Sequence, residues 1–223
     1  YSILAAIAKL KNKNYAFRLY TCRYSKTKTM PFASKHVDNL KGLLTILSIP
    51  YIQGHGETDP LSAQLCKDKL VDFILSEDMD YLPLATPLLV RTEQNGGDYG
   101  EKFQLEYKYT DVLEKLEMTK EEFTDMCILC GCDYVGQLYK VGPISAYKLI
   151  KNHKSIENIL PTLDVEKNKI PDNYMELVNN ARVCFDKRYE HRIKREMLCM
   201  RTPNIEKFKK FMDQFCTLSS GKY

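Results

Sequence analysis

Five carboxylates carry the most chemical information in this chain, and they fall in three clusters: Glu57 with Asp59, Asp78 with Asp80, and Asp133. The middle cluster, Ser76-Glu77-Asp78-Met79-Asp80, follows the apolar run Leu70-Val71-Asp72-Phe73-Ile74-Leu75. The last, Gly131-Cys132-Asp133-Tyr134, follows Met126-Cys127-Ile128-Leu129. Acids placed directly after buried elements are held near one another, and grouped carboxylates repel unless a cation joins them. Hard divalent cations such as Mg²⁺ take oxygen ligands of this kind. A two-metal carboxylate site is a standard means of cutting phosphodiesters. The plainer alternative is that each acid caps a helix or sits in a solvated loop. Three clusters in this order favour a shared focus.

The elements that must position these acids are readable from periodicity. Between Phe32 and Leu47, Val37, Leu40, Leu43, Leu44 and Leu47 recur at helical spacing. Ile49-Pro50-Tyr51-Ile52 reads as a short strand, and Glu57 to Lys67 as a helix with acids and Pro60 in its first turn. Leu70–Leu75 and Leu88-Leu89-Val90 read as buried strands. Asn95-Gly96-Gly97 reads as a hairpin turn into a strand near Phe103–Tyr107. Thr119-Lys120-Glu121-Glu122 is a capping box opening a helix to about Cys130. Strands alternating with helices predict an α/β domain with a largely parallel sheet, whose ligands sit at the carboxyl ends of strands. Beyond Asp133 the pattern turns helical: a helix from Val141-Gly142-Pro143-Ile144 to about Asn152, a short one from Ser155, and others near Tyr174–Phe185 and Ile205–Phe215. The stretch 161–172, with Pro161 and Pro171, reads as loop.

A second chemical feature is Leu138-Tyr139-Lys140-Val141-Gly142-Pro143, leading into a helix. A glycine-containing turn before a helix offers backbone N–H groups to a phosphate. Lys148, Lys151 and Lys154 follow, and they suit neutralisation of phosphates without base reading. An ordinary loop–helix junction with a solvated basic face is the alternative.

Composition sets the outer bounds. The 223 residues are 44% hydrophobic and 28% charged, as in an ordinary globular protein. No apolar run reaches membrane-spanning length, and the apolar Tyr1–Ala8 segment precedes its basic residues, the reverse of a secretory signal. The eight cysteines lack paired spacing, which points to a reducing compartment. Cys127, Cys130 and Cys132 are the one suggestive group. A zinc site needs four ligands and no partner motif follows, so they read as packing residues and no zinc is expected. Charge is uneven: residues 1–37 hold eight Lys/Arg and no acid, residues 38–147 nine basic and nineteen acidic, residues 148–223 sixteen basic and ten acidic. An acidic centre between basic flanks suits a metal site beside a phosphate-binding surface.

Gly56-Glu57-Thr58-Asp59, Glu77-Asp78-Met79-Asp80, Cys127-Ile128-Leu129-Cys130-Gly131-Cys132-Asp133-Tyr134 and Val141-Gly142-Pro143-Ile144-Ser145-Ala146-Tyr147-Lys148-Leu149-Ile150 together resemble the flap endonuclease/XPG family of structure-specific 5′ nucleases. Ser48-Ile49-Pro50-Tyr51 and His153-Lys154-Ser155-Ile156 add to the likeness, which runs from about Phe32 to about Phe211. The resemblance implies a PIN-like nuclease core, residues 1–133, and a helix–two-turn–helix DNA-binding region with C-terminal helices, residues 134–223. It implies hydrolysis of DNA near flaps or single-strand/double-strand junctions, in replication and repair, with two Mg²⁺ or Mn²⁺. Glu57 and Asp59 would serve mainly one metal, and Asp78, Asp80 and Asp133 mainly the other. The hairpin at Gln137 and Leu138 would hold K⁺ through backbone carbonyls, and Lys140, Gly142, Lys148 and Lys151 would meet DNA. The short hairpin and the lack of a long insert point to the flap endonuclease branch.

Several positions depart from the family pattern. Asp59 stands where the family usually has Glu, Lys140 replaces the first glycine of the hairpin, and Ile144 and Ser145 replace residues that are usually basic. The family also uses two aspartates upstream, whereas no acid precedes Asp38, which leads us to expect an N-terminally incomplete chain. The basic segment containing Lys9, Lys11, Lys13, Arg18, Arg23, Lys26 and Lys28, interleaved with Tyr15, Tyr20 and Tyr24, is either part of a flap-threading arch or a basic connector. A sliding clamp is a candidate partner, although no clamp-binding box occurs in the tail. A monomer is expected, intracellular and nuclear if the source is eukaryotic. The competing reading is a catalytically weak PIN-like scaffold or nucleic-acid-binding protein.

Overall fold

The structure, a computed structural model, describes residues 3–5, 20–21, 34–54, 56–94 and 102–219. The expected turn at Asn95-Gly96-Gly97 lies outside the described residues, as do most of the basic N-terminal segment and the end of the tail. The chain forms two compact units, residues 1–75 with 191–223, and residues 76–190.

In the first unit, β1 (Ile3–Ala5) pairs antiparallel with β2 (Tyr20–Thr21) and with β3 (Tyr51–Gln53), Leu4 facing Thr21 on one side and Ile52 on the other. Helix α1 (Ser34–Ile46) precedes β3, as its apolar spacing predicts. Helix α2 (Asp59–Lys67) follows, with Pro60 in its first turn, and leads to β4 (Ile74–Leu75). The expected strand over Leu70–Leu75 shrinks to its last two residues for a local reason. The Lys69 amide donates to the Cys66 carbonyl (3.1 Å) and the Leu70 amide to the Leu65 carbonyl (2.9 Å), while Lys69 takes φ +58°. This is a Schellman closure of α2, and it consumes amides that a longer strand would need. Residues from His191 onward return to this unit: the Asn204 amide donates to the Ile46 carbonyl (3.2 Å), and Phe211 Cε2 comes close to Gly42.

The second unit opens with a 3₁₀ turn, Met79–Tyr81, and a hairpin of β5 (Leu88–Gln94) and β6 (Lys102–Lys108), antiparallel from Leu88↔Lys108 to Gln94↔Lys102. A connection this short joins only antiparallel strands, whereas parallel neighbours need a long crossover. The α/β class stands, with the β1–β2, β1–β3 and β5–β6 pairs running antiparallel within it. Helices α3 (Tyr109–Leu116), α4 (Lys120–Leu129), α5 (Pro143–His153), α6 (Ile156–Ile159), α7 (Val165–Asn168) and α8 (Tyr174–Asp186) follow; α9 (Ile205–Ser219) belongs to the first unit. Helix α3 and the short α7 are additions to the sequence expectation, α7 falling inside the stretch read as loop. The capping box of α4 is complete: Thr119 Oγ1 accepts from the Glu122 amide (3.2 Å), and a Glu122 carboxylate oxygen accepts from the Thr119 amide (3.1 Å).

The core of this unit lies where α4 meets α5 and α8, built from Phe123, Ile128, Leu129, Ala146, Ile150, Val178, Ala181 and Phe185, all at or near full burial. Each such large apolar side chain contributes about 1.5–3 kcal/mol on leaving water. One charge lies inside it. Asp125, 4% exposed, accepts from Arg182 Nε (2.7 Å) and Nη2 (2.6 Å) and from the Ile156 amide (3.1 Å). Arg182 also donates to both Glu157 oxygens (2.5 and 2.9 Å). One ion cluster thus ties α4, α6 and α8 together, and it satisfies an amide that the start of α6 would otherwise leave open.

Candidate metal centre and nucleic-acid interface

Each acid cluster is placed by a short, rigid piece of backbone. In the first unit, Gly54 is buried, and any Cβ there would fall 2.1 Å from Thr58 Cγ2, so only glycine fits. Gly56 follows at φ +87°. Together they turn the chain from β3 into α2. Glu57 ends exposed, two residues before the helix instead of within it, while Asp59 is its first residue and partly buried. A carboxylate in a helix's first turn complements the positive end of the dipole.

In the second unit, Ser76 is the organising residue that the sequence pattern did not single out. Its amide donates to the Val90 carbonyl (3.1 Å), tying it to β5, and its Oγ accepts from the Asp78 amide (3.1 Å). Asp78 Oδ1 in turn accepts from the Asp80 amide (3.0 Å), capping the 3₁₀ turn. A Ser two residues before an Asp is a visible but weak signal for such a turn. The cap fixes both acids in one turn.

Asp133 is exposed in the loop after α4. Gly131 starts that loop at φ +88°, and a Cβ there would meet Gln137 Cβ and N at 3.0 Å, so the tight return needs glycine. The Cys132 amide donates to the Val135 carbonyl (2.9 Å), closing the turn around Asp133. Burial pushes the thiols of Cys127 and Cys132 up, and the Asp80 carboxylate is near enough to both to raise them further. The described cysteines are free thiols.

The five carboxylates have the donor chemistry of a Mg²⁺ or Mn²⁺ site: hard oxygen atoms and no soft ligand among them. Among the described residues, no three His, Cys, Asp or Glu side chains are gathered as a metal-holding group. The ligand type fits a hard divalent cation, and the gathered number falls short of three.

The hairpin before α5 is built on buried Leu138 and Val141, both 2% exposed. The Val141 amide donates to the Leu138 carbonyl (3.0 Å), making a four-residue turn whose third residue, Lys140, has φ +65°. That position in a type II turn favours glycine, the residue that Lys140 replaces. Gln137 Nε2 donates to the Val141 carbonyl (2.8 Å) and braces the turn from the side. Gly142 caps α5 and Pro143 opens it, Pro losing nothing by its missing N–H there. The amides of Ile144 and Ser145 stand in the first turn of the helix, both residues exposed. Lys148 is exposed, whereas Lys151 Nζ donates to the Glu117 carboxylate (3.0 Å) and carbonyl (3.1 Å), a hydrogen bond that raises the lysine and lowers the acid. A phosphate at Lys151 has to compete with Glu117.

Residues 48–133 match the family described as the XPG I-region, which holds all five acids. The chain is 33% identical to a flap endonuclease 1 of Cryptosporidium muris over 199 residues, 83% of this chain and 41% of the relative. Among solved structures, the catalytic core of Rad2 in complex with DNA substrate superposes with a TM-score of 0.64 at 17% identity, over 81% of this chain and 64% of the other. The eukaryotic junction-resolving enzyme GEN-1 binding with potassium does so at 0.59 and 16%, over 82% and 53%. These structural likenesses establish a shared fold, that of a PIN-like nuclease core. The chain spans about two fifths of the length of the curated relatives it matches. Through its XPG I-region, borne on the loops after β3, β4 and α4, this chain belongs to the XPG/flap endonuclease family.

Proposed function

We propose that this chain supplies the carboxylates and the duplex-binding helix of a divalent-metal-dependent, structure-specific 5′ nuclease, one that hydrolyses DNA phosphodiesters near flaps or single-strand/double-strand junctions. The observation that carries this reading is the XPG I-region match over residues 48–133, which holds all five acids, with Asp78 and Asp80 set in one turn by the Ser76–Asp78 cap. Glu57, Asp59, Asp78, Asp80 and Asp133 are the residues that would hold two Mg²⁺ or Mn²⁺. Such cations, when bound, polarise the phosphoryl group and activate water.

The chain's own residues do the positioning. The cap hydrogen bonds keep Asp78 and Asp80 in one turn, so their mutual repulsion does not splay them apart. The Gly142–Pro143 start of α5 presents backbone N–H groups to a phosphate, and Lys140, Lys148 and Lys151 add charge. Carbonyls of the Gln137–Leu138 turn are proposed to take K⁺, a reading that the potassium-bound GEN-1 supports. The DNA-bound Rad2 core supports DNA as the partner. No helix among the described residues is long and apolar enough to cross a membrane. A monomer acting in a nucleus on replication and repair intermediates, with a sliding clamp as candidate partner, completes the proposal.

The test is cleavage of a 5′-flap duplex by the full chain with Mg²⁺ or Mn²⁺. Cutting near the junction is expected, and Asp80→Asn abolishes it. Equal cutting by that variant would rule out the assigned site. A second reading, a catalytically weak nucleic-acid-binding scaffold, goes with the finding that no three donors are gathered among the described residues. Junction binding without cutting in the same assay would establish it.

A further inference from the structure

Most cations around α5 are already matched. Lys151 pairs with Glu117, Lys154 with Glu122 (3.2 Å), and Lys120 with Asp186. Lys140 and Lys169 are the contrast. Neither has an ion-pair partner among the described residues, and both ammonium groups lie over the ring of Tyr139, at 5.4 and 5.0 Å from its centroid. That ring is 52% exposed. Two like charges drawn to one exposed ring repel each other, and the ring's quadrupole offsets this by only about 0.5–1 kcal/mol per contact. An anion placed between them would resolve the repulsion.

The arrangement is built. The Tyr139 amide donates to the Asn168 carbonyl (3.0 Å), and Asn168 Nδ2 donates back to the Tyr139 carbonyl (3.0 Å), so the hairpin and the end of α7 are fastened to each other. Lys169 follows at φ +50°, its amide closing on Glu166 and the next amide on Val165. Lys140 occupies the glycine-like position of the hairpin turn, at φ +65°. Two lysines in strained left-handed conformations, from segments far apart in sequence, thus converge on one ring. An open cavity of about 560 Å³ lies there, lined by residues 137–142 and Lys169.

We infer that Lys140, Lys169 and Tyr139 form a phosphate clamp for nucleic acid, taking one backbone phosphodiester between the two ammonium groups with the adjoining sugar packed on the tyrosine ring. This rests on the nucleic-acid reading above and extends it to α7, an element that the hairpin and α5 do not include. The clamp is sequence-independent, because it touches only backbone.

Binding of a junction duplex by the full chain over a range of salt concentrations tests it. Lys140→Gly and Lys169→Asn remove the charges and suit positive φ, so the fold is retained, as a thermal melt would verify. Each is expected to weaken binding several-fold. The double variant flattens the slope of log K against log salt by about one ion, because both lysines serve one phosphate. Tyr139→Leu weakens binding with the slope less affected, and Lys167→Ala, whose lysine pairs with Asp164, leaves both unchanged. An unaltered slope in the double variant would overturn the clamp, and so would a loss of two ions. A clamp specific for free anions would instead show inorganic phosphate binding that the double variant abolishes while DNA binding is unaltered, which also overturns it. If the wild-type chain binds no DNA, the nuclease reading fails. If it binds and the variants match it, only the clamp fails.

Discussion

Asp125 and Asp80 belong to the same unit and have opposite surroundings. Asp125 sits inside the helical core with both oxygens engaged by Arg182 and by an α6 amide. Asp80 is partly exposed, in a 3₁₀ turn held by a neighbouring carboxylate's cap. One acid is locked into an ion cluster between helices and the other is set in a turn by local backbone hydrogen bonds. A charge paired inside the core fixes how helices meet. A charge set by a backbone turn has its direction fixed by residues close to it in sequence. The lysines divide in the same way, Lys151 spent on Glu117 and Lys140 and Lys169 gathered on Tyr139.

The largest effect that would break this contrast is on stability. Arg182→Met leaves Asp125 buried without its partner and is expected to lower unfolding stability by about 3–5 kcal/mol in chemical denaturation. Asp80→Asn, by comparison, shifts it by no more than ~0.5 kcal/mol. Similar losses in the two variants would erase the distinction. The same cluster has an acid signature. Its hydrogen bond to Arg182 brings the Glu157 carboxyl from 4.5 down to about 2. A depressed carboxyl stabilises the fold fully above pH 4.5, and that contribution disappears as pH falls toward 2. Glu157→Gln should flatten the dependence of melting temperature on pH within that window; an unchanged profile would remove Glu157 from the cluster.

A smaller effect sharpens the lysine comparison. Lys148→Ala should raise the Kd for a junction duplex and flatten the salt slope by about one ion. Lys151→Ala should do less, because Glu117 already holds that ammonium. Equal slopes for the two variants would mean that the Glu117 pair opens on DNA.

How much of this the sequence revealed depends on whether the signal was local. The α4 capping box and Pro143 at the start of α5 are readable because the cap residues carry them within a few positions. The five acids were placed on the right turns for the same reason, except that Glu57 precedes α2. Helix ends were harder. Ser48, Lys69, Ala85, Glu117 and Lys169 all adopt positive φ after Schellman-type closures without glycine, so the usual stop signal is missing. That hid the true extent of β4, and helices α3 and α7 with it. The Asp125–Arg182–Glu157 cluster joins residues up to 57 positions apart and leaves no local trace. The Tyr139 clamp likewise depends on α7 folding back to the hairpin.

The most direct measurement follows the melting temperature of the full chain as Mn²⁺ is titrated, in wild type, Asp80→Asn and Glu157→Gln. A ligand that binds only the native state raises stability by RT ln(1 + [L]/Kd). The expected result is a Mn²⁺-dependent rise in wild type and in Glu157→Gln that disappears in Asp80→Asn. An equal rise in Asp80→Asn, or none in wild type, would contradict the assignment of these carboxylates to a metal.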